Sequence, residues 1–131
     1  MMDIPAITPL YAAAIAILMA VLSTWAGAMR GKTAVALGDG GNAELALAIR
    51  RFGNLSEYAA MILLLMLIME LRGYSAQVLH LYGGALLALR LIHPLILFDD
   101  TDAPVWKKAG RFVSASGTAL LLIIGAVAIV L

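Results

Sequence analysis

The run LSEYAAMILLLMLIMEL at residues 55–71 is followed, after the tetrapeptide RGYS at 72–75, by AQVLHLYGGALLALRLIHPLILF at 76–98. The first run has 17 residues and the second 23. A helix rising 1.5 Å per residue needs roughly 20 residues to cross about 30 Å of hydrocarbon. Neither run alternates apolar and polar residues as a membrane strand of about ten residues does, and lipid tolerates only a backbone whose hydrogen bonds are satisfied internally. Both therefore read as spanning helices, and the Gly-Tyr-Ser turn at 73–75 folds them into an antiparallel hairpin. Two further runs of 20 residues flank it, LYAAAIAILMAVLSTWAGAM at 10–29 and FVSASGTALLLIIGAVAIVL at 112–131. The expected fold is an all-α integral membrane protein, a bundle of four transmembrane helices in one domain over residues 1–131.

Composition agrees. Of the 131 residues 63% are hydrophobic and 13% charged, and the mean hydropathy is +0.99, which excludes a water-soluble globule. Nine Lys and Arg against eight Asp and Glu leave a net charge of +1, so nucleic-acid binding through bulk positive charge is excluded as well. Cysteine is absent, and with it any disulfide framework, zinc-thiolate site, iron–sulfur cluster or thiol nucleophile supplied by the chain. His80 and His93 are 13 residues apart with no HExxH or Cys/His grouping around them, and no metal site is expected. The leader Met1 to Thr8 carries Asp3 and no Lys or Arg, and the apolar stretch behind it exceeds the core of a cleavable signal, so the first span is expected to stay in the protein.

Basic residues sort the loops. Arg30, Lys32, Arg50 and Arg51 lie between the first and second spans, and Lys107, Lys108 and Arg111 between the third and fourth, against Arg72 alone on the other side. The positive-inside rule makes both basic loops cytoplasmic and places both termini outside the cytoplasm. In the first loop ALGDGGN at 36–42 reads as a turn ending in Asn42 as a helix N-cap, with Glu44 in the first turn. A helix from Asn42 to Leu71 is roughly 45 Å long, so its first turns project from the bilayer. Trp25, Trp106 and Tyr58 suit an aromatic belt at the inner boundary, as do Tyr11, Tyr74 and Tyr82 at the outer one.

The informative residues are polar ones inside the spans. Arg50, Asn54, Glu57 and Tyr58 stand at i, i+4, i+7 and i+8 of the second helix, and Arg90 and His93 share a face of the third. Arg90 lies eight residues before Phe98, where an ionised side chain costs several kcal/mol without a partner or water. Arg30, ending the first helix, and Arg111, starting the fourth, sit at the same level. The expectation is a cytoplasm-facing cavity with four arginines, one carboxylate, Asn54, Tyr58 and His93, whose positive surplus suits a small polyanion beside a hydrophobic partner. Structural roles compete with this. Arg90 and Glu57 can form a buried bridge, the loop cations can be topology determinants and headgroup contacts, His93 can serve the kink at Pro94, and Tyr58 can be belt. Glu70, Arg72 and His80 read as solvated interface groups.

RRFGNLSEY at 50–58 resembles the second-helix signature of the membrane-associated proteins in eicosanoid and glutathione metabolism, the MAPEG family: Arg, three residues, Asn, two residues, Glu, then often Tyr. The resemblance covers the whole chain through its length, four spans, basic first loop with a GDGGN-type turn, and an arginine in the third helix. Arg90 with His93 resembles the Arg-x-x-His of the microsomal prostaglandin E synthase branch. The resemblance implies a homotrimer with three glutathione sites between neighbouring subunits, glutathione as cofactor and a lipophilic small molecule as the other reactant. Carried over by position, Arg50, Asn54, Glu57 and Tyr58 hold the tripeptide, Arg30 contributes from the first helix, Arg90 and His93 line the site, and Arg111, beginning the fourth helix, is the catalytic arginine. Leu97, and Ala115 with Ser116, depart from the family in standing where it carries tyrosines.

Charge agrees with that assignment. Glutathione has two carboxylates and one ammonium, so guanidiniums and one carboxylate complement it, Glu57 for the ammonium and Arg50 for a carboxylate. A thiol near pKa 8.5 lowered by one or two units beside Arg111 gains roughly 1.4 to 3 kcal/mol of thiolate stability. The expected activity is a glutathione transferase, with peroxidase action on lipid hydroperoxides as a variant, in a bacterial inner membrane. A noncatalytic lipid- or small-molecule-binding protein with a degenerate glutathione site is the alternative. A small drug/proton exporter is disfavoured, because residues 10–29 contain no carboxylate.

Overall fold

The structure is a computed structural model that describes residues 4–98 and 102–131. Met1 to Asp3, on which the reading of the leader rested, lie outside the described residues. Four helices account for nearly all the rest: α1 (Thr8–Thr33), α2 (Ala43–Leu71), α3 (Ala76–Ile96) and α4 (Val105–Val130). No strand occurs among the described residues, and each helix is long and apolar enough to cross a membrane.

The helix starts follow local chemistry. Asn42 Oδ1 accepts from the Leu45 amide at 2.9 Å, and the Ser75 hydroxyl accepts from the Val78 amide at 3.4 Å, each covering an amide that the first turn leaves free. The turn before Asn42 uses Gly38, Gly40 and Gly41 at φ of 67°, 58° and 78°, a region that side chains disfavour. α4 begins at Val105, seven residues ahead of the apolar run, so Arg111 lies in its second turn and does not begin it. Pro104 takes the cap position, where its fixed φ is pre-set and its missing amide proton is not needed. Trp106, Lys107 and Lys108 then continue the helix, because charge ends the membrane-embedded part of a helix without ending the helix.

α2 and α3 form the central pair. α2 packs on all three other helices, α3 does the same, and α1 and α4 flank the pair without touching each other. The buried line of α2 is Leu55, Ala59, Ile62, Met66 and Met69, against Leu79, Tyr82 and Leu86 of α3, Ile15 and Leu22 of α1 and Leu121 of α4. Close approach at small residues holds membrane helices together, since lipid is as apolar as leucine. At Gly83 a Cβ would stand 2.5 Å from the Tyr11 ring of α1, and at Gly125 it would overlap the Tyr82 hydroxyl. Tyr82 is therefore core and not belt. Its hydroxyl donates to the Leu121 carbonyl at 2.8 Å.

At the turn end of the bundle, the residues expected to be solvated are bonded within the chain. The Glu70 carboxylate accepts from the amides of Ala6, Ile7 and Thr8, each at 2.7 Å. It thereby caps α1, whose own N-cap residue Ile7 has no side-chain acceptor. Arg72 donates to the Ile129 carbonyl and Tyr74 to the Ala128 carbonyl at the end of α4. His80 Nδ1 lies 3.0 Å from the Tyr11 hydroxyl.

Candidate functional site

At the loop end, the helical spacing of α2 brings Arg50, Asn54 and Tyr58 along one edge of its buried line. They meet Arg90 and His93 from the last two turns of α3 and Arg111 from α4. These six of the eight residues singled out from sequence line one cavity of about 180 Å³, closed by Leu97, Ala115 and Thr118. An adjoining cavity of about 650 Å³ shares Arg50, Leu97 and Arg111 with the first. It opens under the α1–α2 loop, with Arg30, Asp39 and Asn42 on one wall and Leu47, Ile49 and Phe98 on the other.

Arg90 is 3% exposed. Its Nη1 donates to the Asn54 carbonyl at 3.1 Å. Its Nη2 donates to the Ser114 carbonyl at 3.2 Å, the Ser114 hydroxyl at 3.4 Å and the Thr118 hydroxyl. The bridge to Glu57 is not formed; every partner is a neutral oxygen, and Nε is buried with no partner. An arginine side chain remains protonated in proteins, so the cavity wall carries a charge that none of its hydrogen-bond partners cancels. His93, 6% exposed, reaches across to α2, where Asn54 Nδ2 lies 3.4 Å from its Nε2. Its ring therefore serves the cavity wall rather than the Pro94 kink.

Two expected members stand apart. At 100° per residue, Glu57 falls nearly opposite Leu55, Ala59 and Ile62 on α2, so it lines neither cavity and is exposed. Arg30 lies in the wall of the larger cavity, but its Nη1 donates to the carbonyls of Val35, Ala36 and Gly38 at 3.4, 3.2 and 2.9 Å. It organises its own loop and does not reach the smaller cavity. Arg50 and Arg111 are exposed in the single chain, and the Arg111 Cζ sits 5.7 Å from the Phe98 ring centroid.

Ser114, Thr118 and Arg51 were missed from sequence. Ser114 and Thr118 follow Arg111 at i+3 and i+7, one polar line on an apolar helix, and that spacing was the available signal. Arg51, next to Arg50, stacks its Cζ 5.3 Å from the Trp25 ring centroid and donates to the Leu97 carbonyl at 3.4 Å, tying α1 and α2 to the end of α3.

The chain is similar to the inner membrane protein YecN of Escherichia coli, in strain K12 and in strain O6:H1. Each match is 37% identical over 118 residues, covering 90% of this chain and 87% of the relative. No solved structure matches it significantly. The MAPEG family matches residues 8–131, from the first residue of α1 to the end of the chain. The match therefore takes in every helix that shapes the two cavities, and the chain belongs to the MAPEG family.

Proposed function

We propose that the protein is a glutathione-dependent transferase of the bacterial inner membrane, acting on lipophilic electrophiles, with reduction of lipid hydroperoxides as a variant of the same chemistry. The observation that carries the reading is the smaller cavity, where the side chains of Arg50, Arg90 and Arg111 converge with no carboxylate among the described lining residues. Glutathione is an anion at neutral pH and gains a further negative charge as thiolate, so such a wall favours it and favours its ionised form most. Arg111, at the junction of the two cavities, is the residue placed to hold the sulfur. It lowers the thiol pKa and keeps the thiolate as nucleophile. In conjugation a sulfur–carbon bond forms as the leaving group departs with its electron pair, and the electrophile enters from the lipid between helices.

The site also calls for a second copy of the chain. Counting 20 residues back from Leu71 puts Glu57 about 7 Å inside the membrane boundary, as an exposed carboxylate beside the exposed Tyr58. An ion at that depth costs several kcal/mol facing lipid, and a neighbouring subunit that covers it removes the penalty. A homotrimer satisfies this, with Glu57 turned toward a ligand held between subunits. The proposed orientation has both basic loops in the cytoplasm and both termini outside. The relative named an inner membrane protein supports the location.

One observation favours noncatalytic binding instead. Leu97 and Ala115, at positions where the family resemblance expects tyrosines, both line the smaller cavity and offer it no hydroxyl. The two readings separate in one experiment on detergent-purified protein. Glutathione is added while thiolate absorbance is followed, and a chlorodinitrobenzene-type electrophile is added next. The transferase reading predicts a thiolate band and conjugate formation, both lost in Arg111→Ala. Binding without a band selects the noncatalytic reading, and no binding at millimolar glutathione refutes the transferase reading together with the glutathione site carried over from the family.

A further inference from the structure

We propose that Ser114 and Thr118 are positioning residues for Arg90, holding its guanidinium by neutral oxygens so that its whole charge acts on the anion in the smaller cavity. The inference deepens the reading of that cavity as an anion site and rests on it for its ligand. Both residues are 1% exposed and one turn apart on α4.

A hydroxyl has one proton to give and lone pairs to receive with. Ser114 donates its proton to the Leu89 carbonyl at 3.0 Å, and Thr118 donates its own to the Ser114 carbonyl at 2.7 Å. Both protons are thereby committed, and what each hydroxyl turns toward Arg90 Nη2 is a lone pair. The two side chains are fixed acceptors, oriented before any ligand arrives. Ser114 also grips α3 one residue before Arg90, so α4 sets the backbone and the head of the arginine together.

A carboxylate in place of either hydroxyl would bind the guanidinium more strongly and cancel its charge. The neutral set holds it less tightly and leaves the charge uncompensated, with the buried Nε still unpartnered. If the only need were to tie α3 to α4, an ion pair would serve as well. The all-neutral set is accounted for when the missing negative charge belongs to a ligand.

The test compares Thr118→Val, which keeps shape and removes the lone pairs, with Thr118→Ser, which keeps them. Arginine side-chain nitrogen resonances of the full-length protein in detergent, recorded without glutathione, report whether the Arg90 guanidinium is held. Glutathione titration then reports the consequence. The expected result is restricted, separate Nη signals in the wild type and Thr118→Ser and averaged ones in Thr118→Val, whose glutathione affinity falls about tenfold while Thr118→Ser stays within roughly twofold. Wild-type guanidinium signals in Thr118→Val overturn the proposal, and so does an equal loss of affinity in both variants. A wild-type protein that binds no glutathione refutes the proposed function instead, and the ligand-free resonances then decide this inference alone.

Discussion

At the turn end of the bundle Glu70 accepts from three amides at the start of α1, and Arg72 and Tyr74 donate to the last carbonyls of α4. At the loop end Arg50, Glu57 and Arg111 are exposed, and among the described residues none forms an ion pair or hydrogen bond with the chain. The same residue types thus do opposite things some 30 Å apart. The charged residues of the turn end are matched to free helix termini, which carry partial charges of opposite sign. Those of the loop end keep their charge available. Polar residues at the turn end therefore concern stability, and the unpaired charges at the loop end are the ones that the proposed function assigns to a ligand.

Substitutions sharpen or break that contrast. The largest effect is expected in Arg111→Ala, where conjugation falls roughly hundredfold because one preorganised donor to the developing charge is gone. The unfolding midpoint should stay within error, as measured by initial rates alongside denaturant titration in detergent. Next comes Glu70→Ala, which leaves the amides of Ala6, Ile7 and Thr8 without their charged acceptor and should lower stability by about 2 kcal/mol. Glutathione affinity should be unchanged, and a matching fall would show that the two ends are not separable.

Much of this was readable in the sequence because it is written in local terms. The spans follow from run length, and the α2 start from Asn42, whose side chain reaches only three residues ahead. What was not readable depends on pairings between distant elements. The Arg90 to Glu57 bridge was a reasonable expectation from depth alone. It fails because Glu57 points away from the bundle while Ser114 and Thr118, on a helix 24 and 28 residues further on, reach the guanidinium. The cap on α1 could not be seen either, since Glu70 is 62 residues from Thr8. The start of α4 was misjudged for another reason. Hydropathy marks where lipid begins, and Lys107, Lys108 and Arg111 are helical outside it.

Two smaller effects refine the comparison. Glu57→Gln should weaken glutathione binding about tenfold through the lost ammonium contact, read by calorimetric titration of the folded protein; normal affinity would place Glu57 outside the ligand shell. Arg72→Met should cost about 0.5 kcal/mol, because an exposed cation at a helix C-terminus contributes little, and should leave binding untouched.

The most direct measurement is a crossed pair: glutathione titration and detergent unfolding, each on Arg111→Met and on Glu70→Gln. The account predicts that the loop-end variant loses binding and keeps its unfolding midpoint, while the turn-end variant binds normally and unfolds earlier. Loss of binding in Glu70→Gln at an unchanged midpoint, or full binding in Arg111→Met, would contradict it.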